Sequence, residues 1–544
     1  MDDGPPLPAH TDAGRQFIGI HRHRHDGRDR IDVYHTRTLS PAPRRREHSQ
    51  VVSTAVLLTA ILFAGFVLRI AALTADRFHA DEALYAGWAL RILDDDPLLL
   101  GVPVDKPPLY LYTLAGAMGV FGPSEVAARL PNLAASMLGI ALTFRLGSTL
   151  YGLRTGIWAA VFVALSPFDI LFARTAFTDP MLVLWMLCAL YAVARGRWLW
   201  AGIWLGLAQA TKQHGALLIP LVVLVGEVLL FHSGVRRGRL PAFGRRLAIG
   251  ALGFALPYGL VVAWDSARWA IRPGYWTQST MSYGGLAWAP VIEWGERLME
   301  WLSWARYLTG SPVLNVLLLL GVAGLLLHGW RRHRGAQETT LDQALVTYGL
   351  GYLLFHTVLR FSVWDRYLLP LVPVVALLGA RVVAQGERGL TQIAGRGDRA
   401  GRFLRGVRSA CVLIIVLSAA IAGSKGALNG YPVGGEHWAY QGLDEVAAYL
   451  KQNAPEDAVL YHHWLLWHYT YYLHDADLEL RWWESGEHLR REALRTPDRE
   501  QYIVLPDWRT MEPEASGVRL QPIYEARRQD GSVSLQLCRI ELEK

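Results

Sequence analysis

Between His79 and Tyr110 the chain sets out acids, a lysine and aromatic residues at spacings that suit proton and phosphate chemistry. The run His79-Ala80-Asp81-Glu82-Ala83-Leu84-Tyr85-Ala86-Gly87-Trp88 has helical spacing, which puts Asp81, Tyr85 and Trp88 on one face. A carboxylate in that setting suits general-base catalysis or metal binding. The plainer alternative is that Asp81 and Glu82 occupy a helix N-terminus, where the macrodipole favours acids. The segment runs on through Asp94-Asp95-Asp96-Pro97 to Asp105-Lys106-Pro107-Pro108. Further along, Asp179 in Thr178-Asp179-Pro180 reads as a site carboxylate or as an N-cap with proline at the first helical position. Lys212, in Thr211-Lys212-Gln213-His214, reads as a phosphate partner or as a lysine that snorkels at a helix C-terminus.

These residues need a scaffold, and the composition says what kind. Of 544 residues 52% are hydrophobic and only 19% charged, with 21 Trp, so much of the chain belongs in lipid. Apolar stretches of roughly 20 residues, the length that crosses the hydrocarbon, recur along it. They fall near Val51–Leu73, Val126–Leu150, Thr155–Leu171, Pro180–Ala194, Trp198–Ala210, Ala216–Phe231, Leu247–Trp264, Val313–Trp330, Ala344–Leu359, Tyr367–Val383 and Ser409–Ala422. The expectation is a mainly α, polytopic membrane protein with about eleven crossings.

The net charge of +7 lies between those spans, so it reports topology and excludes a nucleic-acid footprint. With the polar residues 1–50 as a disordered basic cytoplasmic tail, which includes the alternating run His21–His25, the clusters at Arg236–Arg246, Arg331–Arg334 and the basic loop Arg381–Arg408 all fall inside. No secretory signal peptide is expected, because the first apolar run starts too late. Three segments are then external: 74–125, 265–312 and the region from about Lys425 to Lys544, within a membrane domain 51–424 followed by a C-terminal domain 425–544. The last reads as a small α/β domain with an amphipathic stretch Leu443–Gln452, strands at Ala458–His462 and Gln501–Leu505, and a hairpin across Asp530-Gly531. The three cysteines, Cys188, Cys411 and Cys538, lie far apart and outside any metal or disulfide spacing. In this topology Asp81, Glu82, Lys106, Arg129, Asp179, Lys212 and Arg366 share one membrane face. Arg129 and Arg366 stand there against the positive-inside trend, and a shared polar cavity holding an anion would explain the cost.

The ordered set Asp81-Glu82-x-x-Tyr85-Ala86, Lys106-Pro107-Pro108, Ala176-x-x-Asp179-Pro180, Thr211-Lys212 and Arg366-Tyr367-Leu368-Leu369-Pro370 resembles the GT-C superfamily of membrane glycosyltransferases. The branch it resembles, glycosyltransferase family 39, contains the protein O-mannosyltransferases and the bacterial aminoarabinose (lipid A) transferases, and the likeness covers roughly Val51 to Val383. The resemblance implies transfer of a sugar, with inversion, from a polyprenyl-phosphate donor to a protein, lipid or glycan acceptor at the outer face of the cell membrane. It implies Asp81 as the acceptor's base, with Glu82 and Asp179 as nearby carboxylates. Lys106 and a later arginine would hold the lipid phosphate; Arg268, Arg272 and Arg366 compete for that place, with Arg366 favoured and Arg272 second. Tyr85, Arg129 and Lys212 complete the expected donor site. The family's metal ligands are not clearly matched, so a divalent metal stays open and no other cofactor is expected. The competing reading, a transporter or flippase for a lipid-linked sugar, would place ionisable residues near the bilayer midplane and repeat its halves.

Overall fold

A computed structural model of the chain describes residues 20–23, 30–33 and 42–542, apart from 233–238, 284–285, 333–335, 395–398 and 514–516. The chain forms two compact units, Met1–Thr59 and Ala60–Lys544. In the first, β1 (Ile20–His23) pairs antiparallel with β2 (Arg30–Val33), and α1 (Ala42–Ile70) begins. Of the tail expected to be disordered, residues 20–23, with His21–His23 of the histidine run, and 30–33 are thus strands and 42–50 helix; the rest of it lies outside the described residues.

The elements that follow are α2 (Ala80–Asp94), α3 (Leu109–Phe121), α4 (Glu125–Tyr151), α5 (Leu153–Ala164), α6 (Pro167–Ala173), α7 (Asp179–Ala194), α8 (Trp198–Thr211) and, after a 3-10 turn over Gln213–Leu218, α9 (Ile219–His232). Next come α10 (Arg239–Ser266), α11 (Tyr275–Tyr283), α12 (Trp294–Ala305), α13 (Pro312–Arg332), α14 (Gln337–Val358), α15 (Leu371–Ala394) and α16 (Arg399–Ala427). Every one of the expected spans is helical. By length and composition, however, six described helices suffice to cross a membrane, or seven if the bent pair α5–α6 counts as one. The difference has physical causes. At about 1.5 Å per residue, α7 and α8 reach only about 24 and 21 Å, while α14 carries Glu338 and Asp342 near its start and α15 carries Arg381, Glu387 and Arg388, with Asp342 paired to Arg381 at 3.5 Å. The stretch 381–408 is likewise not a loop, since α15 runs to Ala394 and α16 starts at Arg399. The first external segment also contains a short apolar helix, α3, which its dense Gly and Pro flanks disguise in sequence.

Two packing devices hold the bundle. The chain breaks between α5 and α6 by 57° at Ser166-Pro167, which frees carbonyls at the end of α5. In lipid such groups need internal partners. Arg69, fully buried, donates to Ala164 O at 3.0 Å and Val163 O at 3.1 Å, and its charge is met by Asp169 at 2.5 Å. The second device is close backbone approach between α8 and α10: a Cβ on Gly202 would overlap the Gly250 carbonyl, and one on Gly253 would overlap the Leu199 carbonyl. Gly202→Leu is therefore expected to prevent correct bundle assembly. The yield of monodisperse protein after detergent extraction checks this, and a wild-type yield would contradict the packing.

The C-terminal region folds as the small α/β domain expected. It comprises α17 (Leu443–Asn453), β3 (Val459–His462), α18 (Leu466–Tyr472), β4 (Glu479–Trp482), α19 (Gly486–Ala493), β5 (Gln501–Pro506), β6 (Val518–Arg527) and β7 (Val533–Leu542), with sheet order β4-β3-β5-β7-β6. β3 runs parallel to β4 and β5, whereas β7 runs antiparallel to β5 and β6. Leu443, Val446, Leu450 and Tyr469 pack on one face of the sheet, and Trp483, Leu489 and Ile503 on the other. This domain grips the approach to α2. Asp76 accepts from Asn429 Nδ2 at 2.7 Å, His437 Nδ1 at 2.8 Å and Trp438 N at 3.1 Å, and His468 Nε2 meets Phe78 O at 3.0 Å.

Candidate active site

The first turn of α2 is fixed by its own sequence. His79 is the N-cap, its Nδ1 accepting from Asp81 N at 3.1 Å, and Glu82 Oε2 accepts from His79 N at 2.9 Å, which closes a capping box. The other Glu82 oxygen accepts from Ala176 N at 2.6 Å and faces Arg129 Nε at 3.3 Å. Arg129 in turn donates to Leu73 O at 2.8 Å and Asp76 O at 3.0 Å. Glu82 and Arg129 thus neutralise each other and fasten α2 to the turn before α7. Both side chains are almost fully buried, Glu82 3% and Arg129 2% exposed.

Asp81, one residue earlier, points the other way and meets Arg366 Nη2 at 2.7 Å. Arg366 lies in a 3-10 turn over Asp365–Leu368 and also faces the Phe177 ring, 4.9 Å from its centroid. Asp179 is at the first helical position of α7 with Thr178 as N-cap, so the cap falls one residue before Asp179. Its Oδ1 accepts from Lys212 Nζ at 2.6 Å. Lys212 follows α8 in extended conformation, and its ammonium lies 4.4 Å from the Tyr367 ring centroid. Lys106 stands in an irregular stretch held open by Pro107 and Pro108, which delay α3 until Leu109. It pairs with Asp105 at 2.5 Å and donates to Tyr283 Oη at 3.2 Å.

The three ion pairs lie in one cluster, with Lys212 and Arg366 4.4 and 6.0 Å from the centroid of the same Tyr367 ring. Arg366, His79 and Lys106 all act on the charge of Asp81, and Lys212 feels Asp179, Arg366 and Lys106. Tyr85, buried on the same face of α2, senses Asp81, Arg366, Tyr283 and Asp105. Burial alone would raise the Asp81 carboxyl, but Arg366, His79 and Lys106 overcome it and hold the group below the usual carboxylate range. Asp81 is therefore ionised at neutral pH. Its side chain is also the most open of the set, 22% exposed against 2% for Asp179. Chemically the cluster offers three buried cations to an anion and, in Asp81, a more exposed carboxylate.

Sequence reading missed Asp105, Tyr283 and Tyr367. Adjacency to Lys106 was the available signal for Asp105; Tyr283 comes from α11, some 177 residues away, and carries none. Arg272 lies elsewhere, donating to Leu100 O at 3.0 Å and Gly101 O at 2.9 Å, and Arg268 likewise donates to Leu99 O at 3.0 Å and Val102 O at 3.1 Å. Among the described residues no group of three or more His, Cys, Asp or Glu side chains is placed to hold a metal ion.

Residues 105–261 match a family model described as dolichyl-phosphate-mannose-protein mannosyltransferase. A curated relative, the undecaprenyl phosphate-alpha-4-amino-4-deoxy-L-arabinose arabinosyl transferase 2 of Proteus mirabilis, is 29% identical over 169 residues, covering 29% of each protein. Another, from Bacillus subtilis, is 30% identical over 193 residues, 34% of this chain and 28% of its own length. The matches thus span under a third of the curated relatives. In solved structures the likeness is far more extensive: ArnT of Cupriavidus metallidurans in the apo state superposes with a TM-score of 0.59 at 17% identity, over 90% of this chain and 98% of that one. The oligosaccharyltransferase of Archaeoglobus fulgidus gives a TM-score of 0.55 at 12% identity over 83% of this chain and 69% of that one. The chain has the GT-C fold. The matched residues 105–261 contain Lys106, Asp179 and Lys212, whereas Asp81 and Arg366 lie outside that interval and join it only in three dimensions.

Proposed function

We propose that this GT-C protein transfers a sugar from a polyprenyl-phosphate-linked donor to a protein, lipid or glycan acceptor at the outer face of the cell membrane. The observation that carries the reading is the convergence of Asp81, Lys106 and Arg366 in one cluster with Asp179 and Lys212. Support for the donor class comes from the structure of Cupriavidus ArnT bound to undecaprenyl phosphate, which shares the fold. In the proposed reaction Asp81 takes the proton of the acceptor hydroxyl or amine as that atom bonds to the anomeric carbon. The bond from that carbon to the phosphate oxygen breaks, and its electron pair leaves with the lipid phosphate, held by Lys106 and Arg366. One displacement inverts the anomeric centre. Asp179, with Asp105 beside Lys106, supplies the carboxylate that faces a positively charged sugar, because Glu82 is committed to Arg129 and Ala176. In this orientation the N-terminus is cytoplasmic and the domain from residue 425 is extracytoplasmic.

Purified protein offered a panel of polyprenyl-phosphate sugars is expected to release free lipid phosphate from at least one. A folded preparation that leaves every donor intact would overturn the proposal.

Lys212 makes the proposal pH-dependent. Burial, opposed by Asp179, pushes its amine down to about 8 from an ordinary 10.5. Its positive charge is present below that value and lost as pH rises through it, so donor affinity is expected to weaken on the alkaline side. Between these two pH values the unfolded chain binds the extra proton, so the group's contribution to stability changes the opposite way and rises with pH. Lys212→Arg keeps its charge and is expected to shift the alkaline rise in donor KM upward by a pH unit or more. An unmoved profile would remove Lys212 from the donor site.

A further inference from the structure

The helix α12, in the external segment between α10 and α13, has three distinct faces. At 100° per residue, Trp294, Arg297 and Trp301 share one side, which turns inward: Trp301 is fully buried against His356, and Arg297 donates to the carbonyls of Thr357, His356, Leu359 and Phe361 at 2.6–3.1 Å. A second side carries Gly295, Leu298, Met299 and Leu302, all exposed, and the preceding turn adds exposed Val291 and Ile292. The third carries the acids Glu296 and Glu300. A helix that needed only water opposite its buried side would be polar around the rest of its surface. Here the apolar flank occupies about a third of the circumference, with Leu298, Met299 and Leu302 40–66% exposed.

Continuity identifies what covers it. The segment starts where α10 ends and stops where α13 begins, and both helices meet the length and composition for crossing a membrane. The outward leucines of α10, Leu252, Leu256 and Leu260, are also exposed, more so than Leu298 and Leu302 of α12. Between the two helices Trp269, Trp276 and Trp288 are also exposed, and tryptophan concentrates where acyl chains meet headgroups. An amphipathic helix tethered at both ends to membrane spans, with an acidic stripe on one side and an uncovered apolar stripe on another, fits the headgroup boundary.

We propose that α12 lies along the lipid interface at the membrane face that carries the cluster. Its Leu298–Met299–Leu302 flank sits among acyl chains, while Glu296 and Glu300 face water. Through Arg297 it also sets the height of residues 356–361, which lead into the turn bearing Arg366. Lipid contact by α12 is independent of the reaction that the cluster performs.

The test uses protein reconstituted in nanodiscs of phosphatidylglycerol and phosphatidylcholine, with Cys188, Cys411 and Cys538 replaced by alanine and single spin labels placed at Leu298, Leu302, Glu296 or Glu300. Labels at Leu298 and Leu302 are expected to show oxygen accessibility several-fold higher, relative to a water-soluble nickel chelate, than labels at Glu296 and Glu300. Equal chelate access on both flanks would overturn the proposal, and so would protection of Leu298 from both reagents, which indicates a protein partner or a second copy. The unaltered chain supplies a second readout: a bilayer-partitioned carbene reagent should label the peptide bearing Leu298, Met299 and Leu302, and absence of label there would also overturn it.

Discussion

Asp81→Asn is expected to lower sugar transfer by about 10²–10⁴-fold, the usual contribution of a positioned general base. The amide keeps the volume and one acceptor oxygen of the carboxylate but no longer takes a proton. Its removal also releases Arg366 from a 2.7 Å ion pair, so the guanidinium becomes more available to a phosphate. The signature is therefore divided: kcat falls steeply while donor KM stays level or drops. A purely structural role would reduce the amount of folded enzyme and leave turnover per folded molecule intact. Single-turnover rates and active-site titration on the same preparation separate the two, and near-wild-type kcat would exclude Asp81 as the base.

The second large effect concerns folding. Arg69→Met is expected to destabilise the protein by about 3–5 kcal/mol, the range for removing one partner of a buried ion pair. Methionine fills much of the space, but Asp169 then keeps its charge with Ser136 as its remaining side-chain donor, and the carbonyls of Val163 and Ala164 lose the guanidinium. Arg69→Lys should retain part of the stability, since a lysine supplies charge without the planar fork that reaches both carbonyls and the carboxylate. Thermal unfolding in detergent followed by loss of the monodisperse peak ranks the three proteins. An unchanged midpoint for Arg69→Met would show that the break between α5 and α6 is satisfied in another way.

Much of the architecture was legible because the period of hydrophobicity is local. The runs around Val51, Val126, Leu247, Val313 and Ser409 all became long helices, and the strands at Ala458 and Gln501 and the Asp530-Gly531 hairpin appear where turn chemistry puts them. Span number was harder, because α7 and α8 are apolar yet short, and their burial inside the bundle substitutes for length. In the site, order along the chain located Asp81, Lys106, Asp179, Lys212 and Arg366 without revealing who pairs with whom. Glu82 shows why: its neighbour Asp81 has the same chemistry, and only the rotation of α2 sends one carboxylate to Arg129 and the other to Arg366. Arg272 is the converse case. An arginine at a plausible place in the chain is consumed by two loop carbonyls, a contact that no local pattern announces.

The one-to-one matching of Lys106, Lys212 and Arg366 with Asp105, Asp179 and Asp81 has a kinetic corollary for the proposed reaction. A cluster already at charge balance holds an incoming phosphodiester by lending it cations from their resident acids, and the spent carrier, a phosphomonoester of greater negative charge, borrows them more firmly. Departure of the used lipid would then set the pace of the cycle, and the empty carrier would be an effective inhibitor of its own enzyme.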